Sequence, residues 1–198
     1  MRIEDELFFS PKIKFIDLKW DNKENLIEAF EDRVTGYYLK PAGILEDNAF
    51  AFARGVICVS AIDFISRIET GIGKVRKRFE PWLKDNIQEF DSQDPDNTLQ
   101  TLALRFYEEF RNGLVHEGRI KNAGQFSYNF QGLVRVEQRV MIVNPKYLLE
   151  AIKKAFARYI AKVKGDDSTF PRFRRTLIQD FGKDLKYINQ LKIKAKLV

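Results

Sequence analysis

Apolar residues recur at a spacing near 3.6 along most of this chain and at a spacing of two only between residues 125 and 142. That pattern specifies a mainly α fold, a helical bundle carrying one inserted β-hairpin. A first helix is expected over 22–39, capped by Asp21 or Asn22, with Leu26, Ile27, Phe30, Val34, Tyr37 and Tyr38 on one face and a stop at Pro41 and Gly43. A second, opened by Asp47 or Asn48, passes through Phe52, Val56, Val59, Ala61, Ile62 and Ile65 and ends near Gly71 and Gly73. A helix this apolar belongs at the centre.

A shorter helix begins at Lys74–Phe79 and is expected to break at Pro81, and residues 91–97 read as a polar loop that caps the next helix. In that helix Leu99, Leu102, Ala103, Phe106, Phe110 and Leu114 form the apolar stripe, which turns Arg105, Glu108, Glu109 and Arg111 toward its borders or the solvent. The helices near 47–70 and 97–117 should pack as a central antiparallel pair, since theirs are the longest apolar stripes. The hairpin is expected at 125–142: Phe126, Tyr128 and Phe130 alternate with polar residues, Gln131-Gly132 turns, and Val134–Ile142 returns. Asn144 and Pro145 start another amphipathic helix, and Ser168 or Thr169 caps a basic C-terminal helix. The parts are therefore an apolar N-terminal arm at 1–21, a helical domain at 22–163 and a basic C-terminal extension at 164–198.

Charge is distributed unevenly. The net +6 conceals 13 Lys/Arg against 4 Asp/Glu in residues 153–198, leaving 21 against 24 for residues 1–152. A tail of this sign suits phosphate backbones or an acidic partner, and equally a solvated helix face. The start, Met1–Glu6, lacks the cationic and apolar segments of a secretion signal, and charge interrupts every long apolar stretch, so a cytoplasmic protein without membrane spans is expected. One cysteine and one histidine exclude a Cys/His zinc cage, and Cys58, inside Gly55–Ser60, reads as a buried, inert thiol.

The chemistry is concentrated in Arg111-Asn112-Gly113-Leu114-Val115-His116. Histidine exchanges a proton near neutral pH, while arginine stays charged and donates several hydrogen bonds to phosphate oxygens. Acid–base work on a phosphodiester needs those two groups, with no metal and no cofactor. On an ideal helix Asn112 and His116 lie about 40° apart around the axis, so the amide could orient the imidazole, whereas Arg111 lies about 140° away. Convergence then requires distortion at Gly113, the reach of the arginine, or a second subunit facing this helix across a twofold axis. Lys74, Arg76, Lys77 and Arg78 could hold RNA phosphates, or form a solvated face.

An arginine, a polar residue and a histidine late in a helix resemble the signature of the HEPN (higher eukaryotes and prokaryotes nucleotide-binding) superfamily. The match falls on Arg111, Asn112 and His116, and Ser60–Ile65 is similar to the HEPN helix that carries one acidic residue among hydrophobes, here Asp63. The resemblance covers roughly residues 22–163. It implies a dimeric, metal-independent endoribonuclease, often a toxin or phage-defence effector with a regulatory protein partner. It also allows a non-catalytic module that binds RNA, a nucleotide or a protein. Carried over, His116 is the acid or base around the ribose 2′-hydroxyl, Arg111 stabilises the transition state, Asn112 fixes the histidine, and Asp63 supports the site.

Overall fold

The computed structural model describes residues 2–3, 6–45 and 48–195. It is mainly helical, with small sheets, and no described helix is long and apolar enough to cross a membrane. The chain groups into two compact units, one holding the described residues up to Tyr37 and those from Tyr159 onward, the other Tyr38–Arg158. Those limits do not coincide with 1–21, 22–163 and 164–198: the arm, the first helix and the tail share one unit.

In the first unit, β1 (Arg2–Ile3) and β2 (Glu6–Leu7) pair antiparallel. Helix α1 (Lys23–Val34) starts where expected, because the Asn22 side chain accepts the Asn25 N–H at 2.8 Å. Its buried face, Leu26, Ile27, Phe30 and Val34, is the predicted one. Phe30 meets Phe173 edge-on at 5.3 Å, and Phe9 from the arm meets Phe181 at 5.0 Å. Phe173, Leu177 and Phe181 of α9 (Phe170–Ala195) are buried, so the apolar arm and the basic helix share one small core.

The helical backbone does not stop at Pro41. A π-turn at Thr35–Leu39 leads into α2 (Lys40–Ile44), with the proline in its first turn, where a missing N–H costs little. The Asp47 cap lies outside the described residues. From a 3₁₀ turn at Asn48–Phe50, α3 (Ala51–Thr70) runs as expected and ends on left-handed Gly71 (φ 72°). Cys58 is fully buried in it, and the apolar surroundings push its thiol up to about 12.

Helix α4 (Val75–Asn86) passes through Pro81 without breaking. Pro81 and Lys77, whose carbonyl the ring orphans, are both exposed, so water can satisfy that oxygen; the inner face, Phe79, Trp82 and Leu83, is buried, and Trp82 Nε1 donates to Glu69 at 2.6 Å. Helix α5 (Gln88–Asp91) follows. The polar loop is in fact a short hairpin of β3 (Gln93–Asp94) and β4 (Asn97–Thr101), and the motif helix starts only at Leu102, with the Thr101 hydroxyl accepting the Leu104 N–H. Leu99 therefore leaves the predicted stripe and is 96% exposed.

The motif helix consists of α6 (Leu102–Phe106), a π-turn (Tyr107–Arg111) and α7 (Asn112–Glu117). It packs on α4, which in turn packs on α3, and Arg111 also reaches α3 directly at Asp63. Phe90, Phe106, Phe110 and Phe126 form a continuous ring contact, and Phe126 lies against Gly55 of α3, where a Cβ would sit 2.2 Å from the ring. Glycine is required there by that approach alone.

A hairpin is present, in another register. Its strands are β6 (Val134–Glu137) and β7 (Val140–Val143), turning at Gln138-Arg139, while β5 (Gln125–Phe126) adds to β7 in parallel. The turn residues have φ 49° and 64°, the pair of positive values of a type I′ hairpin turn, which glycine or asparagine would have announced. Helix α8 (Pro145–Gly165) starts as expected, with Asn144 Oδ1 accepting the Lys146 N–H at 3.0 Å.

Candidate active site

Asp63 is the one acidic side chain in the middle of α3, flanked by buried Ala61, Ile62 and Ile65. Both of its oxygens are held. Arg111 donates to Oδ2 from Nη2 at 2.8 Å and from Nε at 3.2 Å, and Arg78 donates to Oδ1 from Nη2. One carboxylate facing two guanidiniums leaves the cluster formally cationic, in a largely buried position where charge-assisted hydrogen bonds are strong. Arg78 is further fixed by the Gly73 and Ile72 carbonyls. Ser60, Asp63, Arg67, Arg78 and Val115 border a shallow concavity of about 280 Å³ beside this cluster.

The network continues along the motif helix. Arg111 Nη1 donates to Asn112 Oδ1 at 3.3 Å, Asn112 Nδ2 donates to Glu108 at 3.2 Å, and Glu108 lies 3.8 Å from Arg76. Asn112 thus spans Arg111 and Glu108; its amide is engaged there and not with the imidazole. His116 is exposed in the last turn of α7 and makes no hydrogen bond or ion pair among the described residues.

The basic run Lys74, Arg76, Lys77 and Arg78 does not form one surface. Lys74, Arg76 and Lys77 are exposed, and Arg78 is buried toward Asp63. Arg76 is shared between Glu80 and Glu108 at 3.7 and 3.8 Å, exposed pairs of small worth.

Backbone at Arg111 (φ −62°, ψ −53°) and Asn112 (φ −69°, ψ −38°) is regular, and α7 continues helically through Gly113. No distortion there brings Arg111 round to His116; the arginine's reach and a second copy are the remaining routes. Gly113 serves a different need. Its carbonyl accepts the N–H groups of Gly118 and Arg119 as the chain folds back, and a Cβ at Gly113 would sit 2.4 Å from the Arg119 carbonyl oxygen. Gly113→Ala is expected to cost about 1–3 kcal/mol by forcing backbone apart, read as a lowered urea midpoint.

Sequence reasoning missed a second polar cluster. Arg105 and Glu109, expected at the stripe's border or in solvent, are 6% and 5% exposed. Arg105 donates to Glu109 Oε1 at 3.0 Å, Asp94 Oδ1 at 3.0 Å, Asp96 Oδ2 at 2.8 Å and the Arg139 carbonyl at 2.6 Å. Burial disfavours its charge, but the bond to Asp96 and the charges of Glu109 and Asp94 outweigh this and raise its pKa. The i,i+4 spacing of Arg105 and Glu109 was the available signal. Among the described residues no group of three or more His, Cys, Asp and Glu is placed to hold a metal ion.

Comparison of the chain with protein-family models, with curated proteins and with solved structures finds no match.

Proposed function

We propose that this chain is a HEPN-type, metal-independent endoribonuclease that acts as a homodimer. The observation carrying this reading is the Asp63–Arg111 ion pair, which joins the acidic position of one helix to the arginine of the other, with His116 exposed one and a half turns further on. In the reaction the ribose 2′-oxygen attacks the adjacent phosphorus, losing its proton to a base, and the 5′-oxygen leaves with a proton from an acid. The products are a 2′,3′-cyclic phosphate and a free 5′-hydroxyl. His116 serves one proton transfer, or both in turn, and Arg111 stabilises the charge that grows on the phosphoryl oxygens. Because five residues of regular helix set the two about 140° apart around the motif helix, the proposed dimer apposes two motif helices and makes a composite cleft.

The test is incubation of purified protein with mixed RNA in chelator, with detection of cyclic phosphate ends. Arg111→Lys keeps charge but loses the planar fork, and is expected to lower the rate about 10²-fold. A strict monomer by light scattering at high micromolar concentration would refute the composite cleft.

A second reading, a non-catalytic HEPN-like module that binds RNA, a nucleotide or a partner protein, draws on one specific observation. Arg111 Nε, Nη1 and Nη2 already have acceptors within the chain. RNA binding without cleavage would favour it.

A further inference from the structure

Helix α9 carries a feature that its sequence charge alone does not disclose. At about 100° per residue, Arg172, Arg175, Gln179, Lys183 and Lys186 fall within an arc roughly 80° wide, and Asp180 and Asp184 lie at least about 60° beyond its edge. All five are exposed, opposite the buried Phe173, Leu177 and Phe181. The stripe runs about 21 Å along the axis.

The four cations are also uncommitted. Elsewhere in the same unit cations hold carboxylates: Arg174 with Asp21, Lys23 with Asp167 at 2.7 Å, Lys164 with Glu31 at 2.8 Å. Arg172, Arg175, Lys183 and Lys186 make no ion pair or side-chain hydrogen bond among the described residues. A single-sign row of this length on one rigid helix concentrates field along a line.

We infer that this face of α9 is a docking surface for the phosphate backbone of a single-stranded nucleic acid. A linear row of cations complements a linear row of phosphates. Tyr187, 54% exposed near the stripe's C-terminal end, supplies a ring on which a base can stack, a combination typical of single-strand binding. An anionic membrane is the poorer complement: interfacial helices insert an apolar face, and Phe173, Leu177 and Phe181, opposite the stripe, are buried in their own unit's core. The inference does not depend on cleavage.

The experiment follows fluorescence anisotropy of a labelled, 2′-O-methylated strand of about 20 nucleotides, which cannot be cleaved, with the full chain at several salt concentrations. Four phosphate contacts give a log–log salt slope near −3, roughly a 50-fold loss of affinity between about 50 and 200 mM salt. Arg172→Gln/Arg175→Gln/Lys183→Gln/Lys186→Gln should abolish most binding and flatten the slope, with an unchanged circular dichroism spectrum because all four side chains are exposed. Arg172→Lys/Arg175→Lys should keep the slope, and Tyr187→Ala should weaken binding about tenfold. Removing the same charge at Lys40, Lys84, Lys146 and Lys154 should matter little. The inference is overturned if the wild type ignores the strand, if the quadruple variant binds as tightly, or if the control loses as much. It is also overturned if the stripe is needed for phosphatidylserine vesicles or an acidic protein while the strand does not bind. A chain that binds the methylated strand but leaves ordinary RNA intact keeps this surface and loses only the nuclease reading.

Discussion

His116→Ala is expected to lower the rate of RNA cleavage about 10²–10⁴-fold, the usual cost of losing one positioned acid–base group. Its stability should stay within about 0.5 kcal/mol of the wild type, as for surface substitutions away from special features. The two expectations together give the test its force. His116 is exposed in the last turn of α7, and its side chain makes no hydrogen bond or ion pair among the described residues, so a loss of rate at unchanged stability is a loss of chemistry. Asp63→Asn makes the contrast: that carboxylate holds both Arg78 and Arg111, so rate and stability should fall together. DNA, lacking the 2′-hydroxyl that attacks, should survive even with the wild type. Equal cleavage by the wild type and His116→Ala would assign the activity to a contaminant and remove the nuclease reading.

Much of the fold is legible in the sequence because it is local. The α1 stripe, its Asn22 cap, the length of α3 and the Asn144-Pro145 start of α8 each depend on residues within a turn or two of one another. So does the end of the motif helix, where Gly118 takes a left-handed φ of 67° just after His116. Reading faces from a 3.6 spacing fails at a π-turn, since one inserted residue rotates the remainder of the helix by about 100°. That happens twice, at Thr35–Leu39 and Tyr107–Arg111. The second lies between Arg105, expected at the border and found buried, and the α7 residues that carry the candidate chemistry. Arg78 shows a different limit. It sits within a basic run of uniform appearance, and Asp63, 15 positions earlier on another helix, together with the Ile72 and Gly73 carbonyls, turns it inward while its neighbours face solvent. The hairpin register failed for a related reason: Gln138 and Arg139 adopt left-handed backbone that nothing in their own chemistry favours.

What holds that turn is Arg105, and Arg105→Leu is expected to destabilise the fold by about 3–5 kcal/mol, the cost of breaking a buried ion pair from one side. Four acceptors depend on this guanidinium: Asp94, 1% exposed; Glu109, 5% exposed; Asp96; and the carbonyl of Arg139. Leucine would fill part of the space and leave two carboxylates buried without their cation. Glu109 already has one oxygen, Oε2, buried with no partner, so the network has no slack to absorb the loss. Arg139 would also lose the donor that holds its carbonyl in the left-handed turn, and β6 and β7 would loosen with it. Urea denaturation reads the total as a fall in midpoint at unchanged slope. Arg105→Lys should recover only part, because an ammonium cannot reach acceptors spread around a planar fork. The decisive comparison is Arg105→Leu with Arg105→Leu/Glu109→Leu. If the penalty is uncompensated buried charge, removing Glu109 as well restores part of the stability, Asp94 remaining, even though a second native contact has gone. If the double variant is instead weaker than the single, the cluster stabilises by packing, and the electrostatic account of the turn fails.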